Sequence, residues 1–305
     1  MSKNKDSRNK EQPSKFSPQK MLKGTSDALL KNPLSVKGED DAPVMGFLDN
    51  EMIHGIRIRD RMKGMGPSIR IIPRMFLEMR KAKRSIKKNH RNPKTIITEE
   101  LLLSLKQYCK ELGLVIGFTK LRKELIFRNE AVLYDNVIVL SMEMDYNKMD
   151  KAPSAETQGM IIKTYNNLGI IANRIASFLR KNGFRAQACH PLGGPICYPP
   201  LIGDAGMGWY GRHGIAIIPE FGPRHRVAAV LTSIENLPIN NTNEHKWIEE
   251  YCTTCGRCIQ KCPTKAIYEK CRENDNGTKT HIDNKLCFKE FSTNYGCSVC
   301  VKECM

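Results

Sequence analysis

Eight of the twelve cysteines crowd the C-terminal end of the chain, in the runs CTTCGRCIQKCP and LCFKEFSTNYGCSVCVKEC. The first run sets Cys252, Cys255, Cys258 and Cys262 in the order C-x2-C-x2-C-x3-C-P, and the second carries Cys287, Cys297, Cys300 and Cys304. Thiolates two residues apart can turn toward one iron–sulfur cubane without unwinding the backbone. A fourth thiolate, set off by three residues and followed by proline, is carried away to a second cubane. The two halves are therefore expected to exchange ligands. One [4Fe-4S] cluster would sit on Cys252, Cys255, Cys258 and Cys304, the other on Cys262, Cys287, Cys297 and Cys300.

A zinc ribbon also uses C-x2-C pairs, but it needs two such pairs and no Cys-Pro. Disulfides are disfavoured because no secretory apolar segment opens the chain and a reducing compartment keeps thiols free. The spacing thus predicts a ferredoxin-type module over 246–305. The other cysteines, Cys109, Cys189, Cys197 and Cys271, have no ligand spacing and read as small buried apolar side chains. Cys197 stands out among them for its Gly and Pro neighbours.

Residues 1–45 are rich in Lys, Ser, Asn and Pro without apolar periodicity, and are expected to be a disordered basic tail. Residues 46–97, basic and broken by Gly64, Gly66, Pro67, Pro73 and Pro93, read as a segment wrapping the core. The formal charge of +17 gathers in RKAKRSIKKNHRNPK over 80–94. Such a run can grip nucleic acid, an anionic membrane face or an acidic electron donor. It carries no interleaved aromatic residues for base stacking, so a solvated helix face or linker is favoured over nucleic acid. No run of 18 apolar residues exists for a membrane span, and a cytoplasmic protein is expected.

Periodicity places a helix after Thr98, an N-cap type residue, with Leu102, Leu105, Cys109 and Leu112 on one stripe and Gly113 as its stop. NVIVLSMEM (136–144) reads as a buried strand. A second helix opens at Ser154 or Thr157 and ends at Gly183, its stripe running from Tyr165 through Leu179. Residues 185–189, 214–218 and 226–234 read as strands. This order is not a regular βαβ alternation, so 98–245 is expected to be an α+β domain.

Between those strands lies AGMGWYGRHG (205–214), with Gly206, Gly208, Gly211 and Gly214. Its G-x-G-x-x-G spacing precedes a strand, not a helix, which excludes a dinucleotide fingerprint. The alternatives are a tight turn beneath the sheet, or a backbone cradle for a large flat ligand. In the second, Trp209 and Tyr210 would supply apolar contact, and Arg212 and His213 polar contact.

The stretches VIVLSMEMDY…APS, Y-x2-L-G-x3-A-x-R-I-A-x-F-L-R-x-N-G-F-x-A and DAGMGWYGRHGIAIIPEFGPRHRVAAVLT resemble the catalytic core of reductive dehalogenases and, less closely, the epoxyqueuosine reductases. The resemblance runs from about residue 98 to the end. It implies a nitroreductase-like core holding base-off cobalamin, followed by the dicluster module, with electrons passing from the clusters to cobalt. Gly206, Gly208, Trp209, Gly211 and His213 would then contact the corrinoid. Tyr146 would be the proton donor with Arg212 as its activating cation, and Tyr198 the reserve donor. The substrate would be a small molecule and the electron source a ferredoxin or flavodoxin. The alternatives are a tRNA-modifying reductase and a non-catalytic electron carrier. Four departures stand against the resemblance. The Asp of epoxyqueuosine reductases has no counterpart before Ala205. No D-x-H-x2-G pattern supplies a cobalt ligand. Met305 stands where these families carry proline, which reads as a truncated end. The twin-arginine leader of exported dehalogenases is not found.

Overall fold

The computed structural model describes residues 29–39, 70–240, 242–273 and 279–304. Most of the expected tail and part of the wrapping segment, residues 1–28 and 40–69, lie outside the described residues. Within the tail, 29–39 departs from the expectation of disorder. Strand β1 (Val36–Lys37) adds to the core by pairing with Val132 and Ala131, and Leu29 is buried. These few apolar side chains find a hydrophobic seat that composition averaged over 45 residues conceals.

The wrapping segment holds helix α1 (Ile72–Ser85), with Pro73 in its first turn, where a missing N–H costs nothing. Met79 and Ala82 face inward, Arg74, Arg80, Lys81 and Arg84 face out, and Lys83 turns in to pair with Glu130 at 3.9 Å. Helix α2 (Glu99–Glu111) starts where expected, at Thr98, whose side chain accepts from the Leu101 amide. Strand β2 (Leu114–Lys120), which the periodicity reading passed over, follows the left-handed Gly113 (φ 72°). Next come β3 (Ala131–Val132), β4 (Asn136–Glu143), the short helix α3 (Tyr146–Met149) and the long α4 (Ala155–Lys181). The hydroxyl of Ser154 caps α4 by accepting from the Thr157 amide at 3.1 Å. After it come β5 (Ala186–Cys189), α5 (Pro199–Asp204), β6 (Trp209–Tyr210), β7 (Ala216–Ile217) and β8 (His225–Thr232).

Four strands form one antiparallel sheet in the order β2-β4-β8-β5. Successive strand side chains point to opposite faces, and this sheet is apolar on both. Ile138, Leu140, Ala228 and Val230 face α1, α2 and α4 in one core. Val137, Val139, Ala229 and Leu231 face α5, the β6–β7 hairpin and the loops around Ile126 and Ile196 in another. Two covered faces explain why β4 reads as a continuous apolar run and not as an alternation. The α+β expectation holds.

The cysteine-rich region is built differently. It has helix α6 (Trp247–Cys255), helix α7 (Arg257–Lys261), the hairpin of β9 (Ile267–Glu273) and β10 (Lys279–Ile282), helix α8 (Asn284–Thr293) and helix α9 (Val299–Lys302). Its own core is small, and two of its four fully buried members are Cys258 and Cys262. It docks onto the sheet domain through Val301, which packs among Met144, Met149, Met160 and Ile161.

Candidate iron–sulfur centre and the loop beside it

Short helices joined by left-handed turns aim the cysteines. Cys252 and Cys255 lie on α6. Gly256 (φ 59°) then reverses the chain into α7, which presents Cys258, and Cys262 follows at its end. In the second half, Asp283 caps α8 by accepting from the Leu286 amide at 3.0 Å, and so fixes Cys287. Cys297 and Ser298 both have positive φ (42° and 67°), a conformation that costs non-glycine residues about 1–3 kcal/mol. That bend throws Cys300 and Cys304, on and after α9, back toward the first half.

The result is two groups with crossed membership. The thiol of Cys304 has Cys252, Cys258 and Cys255 as its electrostatic neighbours. That of Cys287 has Cys297 and Cys262, and Cys300 faces Cys287, Cys297, Cys258 and Cys262. Burial, reinforced by these mutual repulsions, pushes Cys304 and Cys300 up to about 12 and Cys287 up to about 11. Without metal these groups are neutral thiols, so iron must displace protons as it binds. Cys262 goes the other way. Burial alone would raise it, but amide donation from Ala266 at 3.3 Å and the hydroxyl of Thr264 at 3.7 Å outweigh that. The backbone of Arg212 beside Cys252 opposes the burial that raises its thiol. Such donors tune metal-bound thiolates, and nothing in cysteine spacing announces them.

Among the described residues no three His, Cys, Asp or Glu side chains close around a single metal ion. A four-iron cubane holds its thiolates farther apart than one ion does, and the donor set fits it in kind and number. Cys252, Cys255, Cys258 and Cys304 also line one cavity, of about 290 Å³, shared with Arg212, His213, Trp247 and Tyr251.

The glycine-rich loop forms the opposite wall of that cavity, and its internal contacts differ from a ligand cradle. A Cβ on Gly208 would run into the carbonyl of Ile217, so this glycine lets β6 and β7 approach closely. Gly206 (φ 66°) makes the turn before them. A Cβ on Gly211 would come within 2.6 Å of the His213 ring. Trp209 donates from Nε1 to Glu249 at 3.0 Å and lies 5.7 Å from the Lys246 ammonium, while Tyr210 stacks on His281. Gly206, Gly208, Trp209 and Gly211, expected to touch a corrinoid, therefore touch protein. Their backbone and rings fasten the sheet domain to the cysteine module. Pockets for drug-sized ligands measure roughly 300–1,000 Å³, and a corrinoid is larger than such ligands. The cavity that Cys252, Cys255, Cys258 and Cys304 line is therefore smaller than a corrinoid needs.

The proposed acid and its cation are also re-paired. Tyr146 is 54 % exposed at the start of α3, and the guanidinium 5.4 Å from its ring centroid belongs to Arg224. Arg224 is anchored in turn by Glu143 and by the Met144 carbonyl at 2.6 Å. Arg212 is at Cys252 and His281 instead. Tyr198 is buried, its hydroxyl donates to the His190 carbonyl at 2.7 Å, and burial drives its pKa well up. Burial likewise pushes Cys197 up to about 11, against the pull of Arg122, so it is a thiol at neutral pH.

Comparison with known proteins gives the class first. Residues 245–268 match the 4Fe-4S binding domain family. The chain is 35 % identical over 182 residues to a tetrachloroethene reductive dehalogenase of Desulfitobacterium hafniense, a match covering 55 % of this chain and 32 % of that protein. The corresponding protein of Sulfurospirillum multivorans is 29 % identical over 191 residues, 59 % of this chain and 36 % of its own. An epoxyqueuosine reductase of Atelocyanobacterium thalassa is 34 % identical over 90 residues, 30 % of this chain and 27 % of that protein. The chain thus spans about a third of the length of the curated dehalogenases it matches. A catabolic reductive dehalogenase solved with 3-bromo-4-hydroxybenzoic acid superposes with a TM-score of 0.73 at 16 % identity, covering 90 % of this chain and 43 % of that one. The fold is that of the reductive dehalogenases. Among the described residues no helix is long and apolar enough to cross a membrane.

Proposed function

We propose that this chain is an iron–sulfur reductase that passes single electrons through two [4Fe-4S] clusters to a bound acceptor, for reductive cleavage of a small molecule. The observation that carries this reading is the sorting of eight cysteines into two groups of four with exchanged members. An electron carrier would need the cysteines alone. Here the Gly-rich loop, Arg212 and His213 close over one group from a separate domain. The likeness to dehalogenases, one of them described in terms of B12-dependent dehalogenation, makes a corrinoid the acceptor in this reading. Such a group, when bound, supplies the bond-cleaving redox chemistry.

The residues of the chain do the rest. Cys252, Cys255, Cys258 and Cys304 would hold the cluster under the loop, and Cys262, Cys287, Cys297 and Cys300 the one against the sheet domain, where Cys300 borders the Met144 and Met160 packing. Tyr146, exposed and held against Arg224, remains the proton donor, and Arg224 replaces Arg212 as its cation. A ferredoxin or flavodoxin would donate the electrons. We place the protein in the cytoplasm, where thiols stay reduced until iron arrives.

The test is anaerobic reconstitution with iron and cobalamin, followed by metal analysis. Two cubanes bring about eight irons per chain, and cobalamin should give a saturable spectral change. Cys262→Ser should abolish the cluster of Cys297 and Cys300 and leave the other paramagnetic signal in place. About four irons in the parent chain, or loss of the other signal in that variant, would sink the ligand assignment. Full iron with no response to cobalamin would leave an electron carrier.

A further inference from the structure

We infer that His213 donates a hydrogen bond from Nε2 to a sulfur of the cluster held by Cys252, Cys255, Cys258 and Cys304, and so raises that cluster's reduction potential. The inference rests on the dicluster reading above and adds to it a residue that tunes one cluster and not the other.

Four observations converge on it. His213 is 4 % exposed, and its Nε2 is buried with no hydrogen-bond partner in the protein. Buried polar groups without partners are rare and call for an explanation. The ring is held at its other nitrogen, where the Ile215 amide donates to Nδ1 at 3.0 Å. An amide can donate only to an unprotonated ring nitrogen, so the hydrogen of the neutral imidazole is on Nε2. The ring packs against Gly211, where a Cβ would meet its Cε1 at 2.6 Å and Nδ1 at 3.1 Å, and Ile217 Cδ1 at 2.8 Å. His213 also lines the cavity that the four cysteines share. Finally, the backbone of the neighbouring Arg212 lies beside Cys252 and works against the burial that raises its thiol. The two consecutive residues thus approach the same group of sulfurs from one side.

The chemistry has a definite sign. A cluster gains negative charge on reduction, so a donor aimed at its sulfur stabilises the reduced form more than the oxidised one. We expect a shift of at least tenfold in the reduction equilibrium, about 59 mV for one electron. The other group has its own donors, Ala266 and Thr264 at Cys262, and is not touched by His213.

The experiment is a redox titration of the reconstituted full chain, followed by paramagnetic resonance. The parent, His213→Leu, His213→Gln and Gly211→Ala are compared, with iron content measured for each. Leu keeps bulk and loses the donor. Gln places an amide N–H near the position of Nε2. Ala at 211 keeps the histidine but displaces its ring. With full iron, the inference expects one of two reduction steps to move about tenfold toward harder reduction in His213→Leu and Gly211→Ala, and to return near the parent value in His213→Gln. Equal shifts in Leu and Gln would show a packing role and overturn it. Unmoved potentials would overturn it too, as would unmoved potentials with weakened cobalamin binding, which would give Nε2 to the corrinoid. Should His213→Leu fail to hold iron, the contrast between His213→Gln and Gly211→Ala decides alone. A parent chain without two clusters would instead count against the dicluster reading.

Discussion

The sheet domain and the cysteine module are held together by different forces. In the sheet domain, Ile138, Leu140, Leu168, Ile175 and Leu179 are fully buried, and each such side chain contributes about 1.5–3 kcal/mol. The module offers helices of nine, five, ten and four residues, below the length at which a helix is stable alone. Its interior is made partly of the cysteines themselves. In the proposed dicluster state the same side chains would serve as core and as ligands, so folding of the module would be coupled to the metal.

The sharpest way to break this comparison is to remove the iron. Chelation of the reconstituted protein under reducing conditions should unfold 246–304 and leave the sheet domain folded. Hydrogen exchange should show the module amides losing protection entirely while those of β4 and β8 keep theirs. A module that stays protected without iron would mean that apolar packing at Val301 and Ile267 suffices, and the contrast would fall.

The reverse perturbation is acid, which should act on the sheet domain. His190 and His225 are buried there at 2 % and 3 % exposure, and burial lowers both from 6.5 to about 4. His225 is neutral between Ser141 at 2.9 Å and the Ala216 carbonyl at 2.9 Å. Both groups are neutral in folded and unfolded chains above pH 6.5, so neither destabilises there. As pH falls below 6.5 the unfolded chain takes up protons that the folded one refuses, and stability declines until about pH 4. Each shift corresponds to about 3 kcal/mol. Urea midpoints measured between pH 7 and 4 should fall across that window, and substituting His225 by Gln should flatten the fall. A flat profile in the parent would show that these rings are solvated.

How much of this was legible in the sequence divides along the same line. Cysteine chemistry is encoded in residue type and spacing, and the iron–sulfur module could be read from the run ending in Cys262-Pro263, within the stretch that matches the 4Fe-4S family. Helices α2 and α4 were legible through Thr98, Ser154 and Gly183, because caps and stops are local. Strand β2 was missed because Gly117 interrupts its apolar run. The glycine is there so that Met207 can pack against the strand, a contact 90 residues away in sequence. The loop at 205–214 left two readings open for a related reason. A glycine that admits a ligand and one that admits a neighbouring strand look alike until the strand is in place, and at Gly208 the neighbour is Ile217. Pairings between distant side chains, such as Tyr146 with Arg224, carry no local signal at all.

The smallest effect belongs to Tyr198, and it separates a structural tyrosine from a chemical one. Its hydroxyl fills the space a side chain on Gly194 would need and donates to the carbonyl of His190. Tyr198→Phe removes that donor, leaves a buried carbonyl short of a partner and changes almost no volume. The cost should be about 1–3 kcal/mol, the range for a buried group left unsatisfied, read as a lower urea midpoint of the sheet domain with unchanged iron content and unchanged reduction potentials. Tyr146→Phe should do the opposite. That ring is exposed and makes no buried hydrogen bond, so stability should hold, while turnover falls by about 10²–10⁴ if it is the general acid. A Tyr198→Phe protein of normal stability but with turnover reduced by that factor would return the proton to Tyr198, and would mean that the His190 contact opens during the reaction. Carried out side by side, the two substitutions would assign one hydroxyl to the packing of the sheet domain and the other to the proposed reductive step.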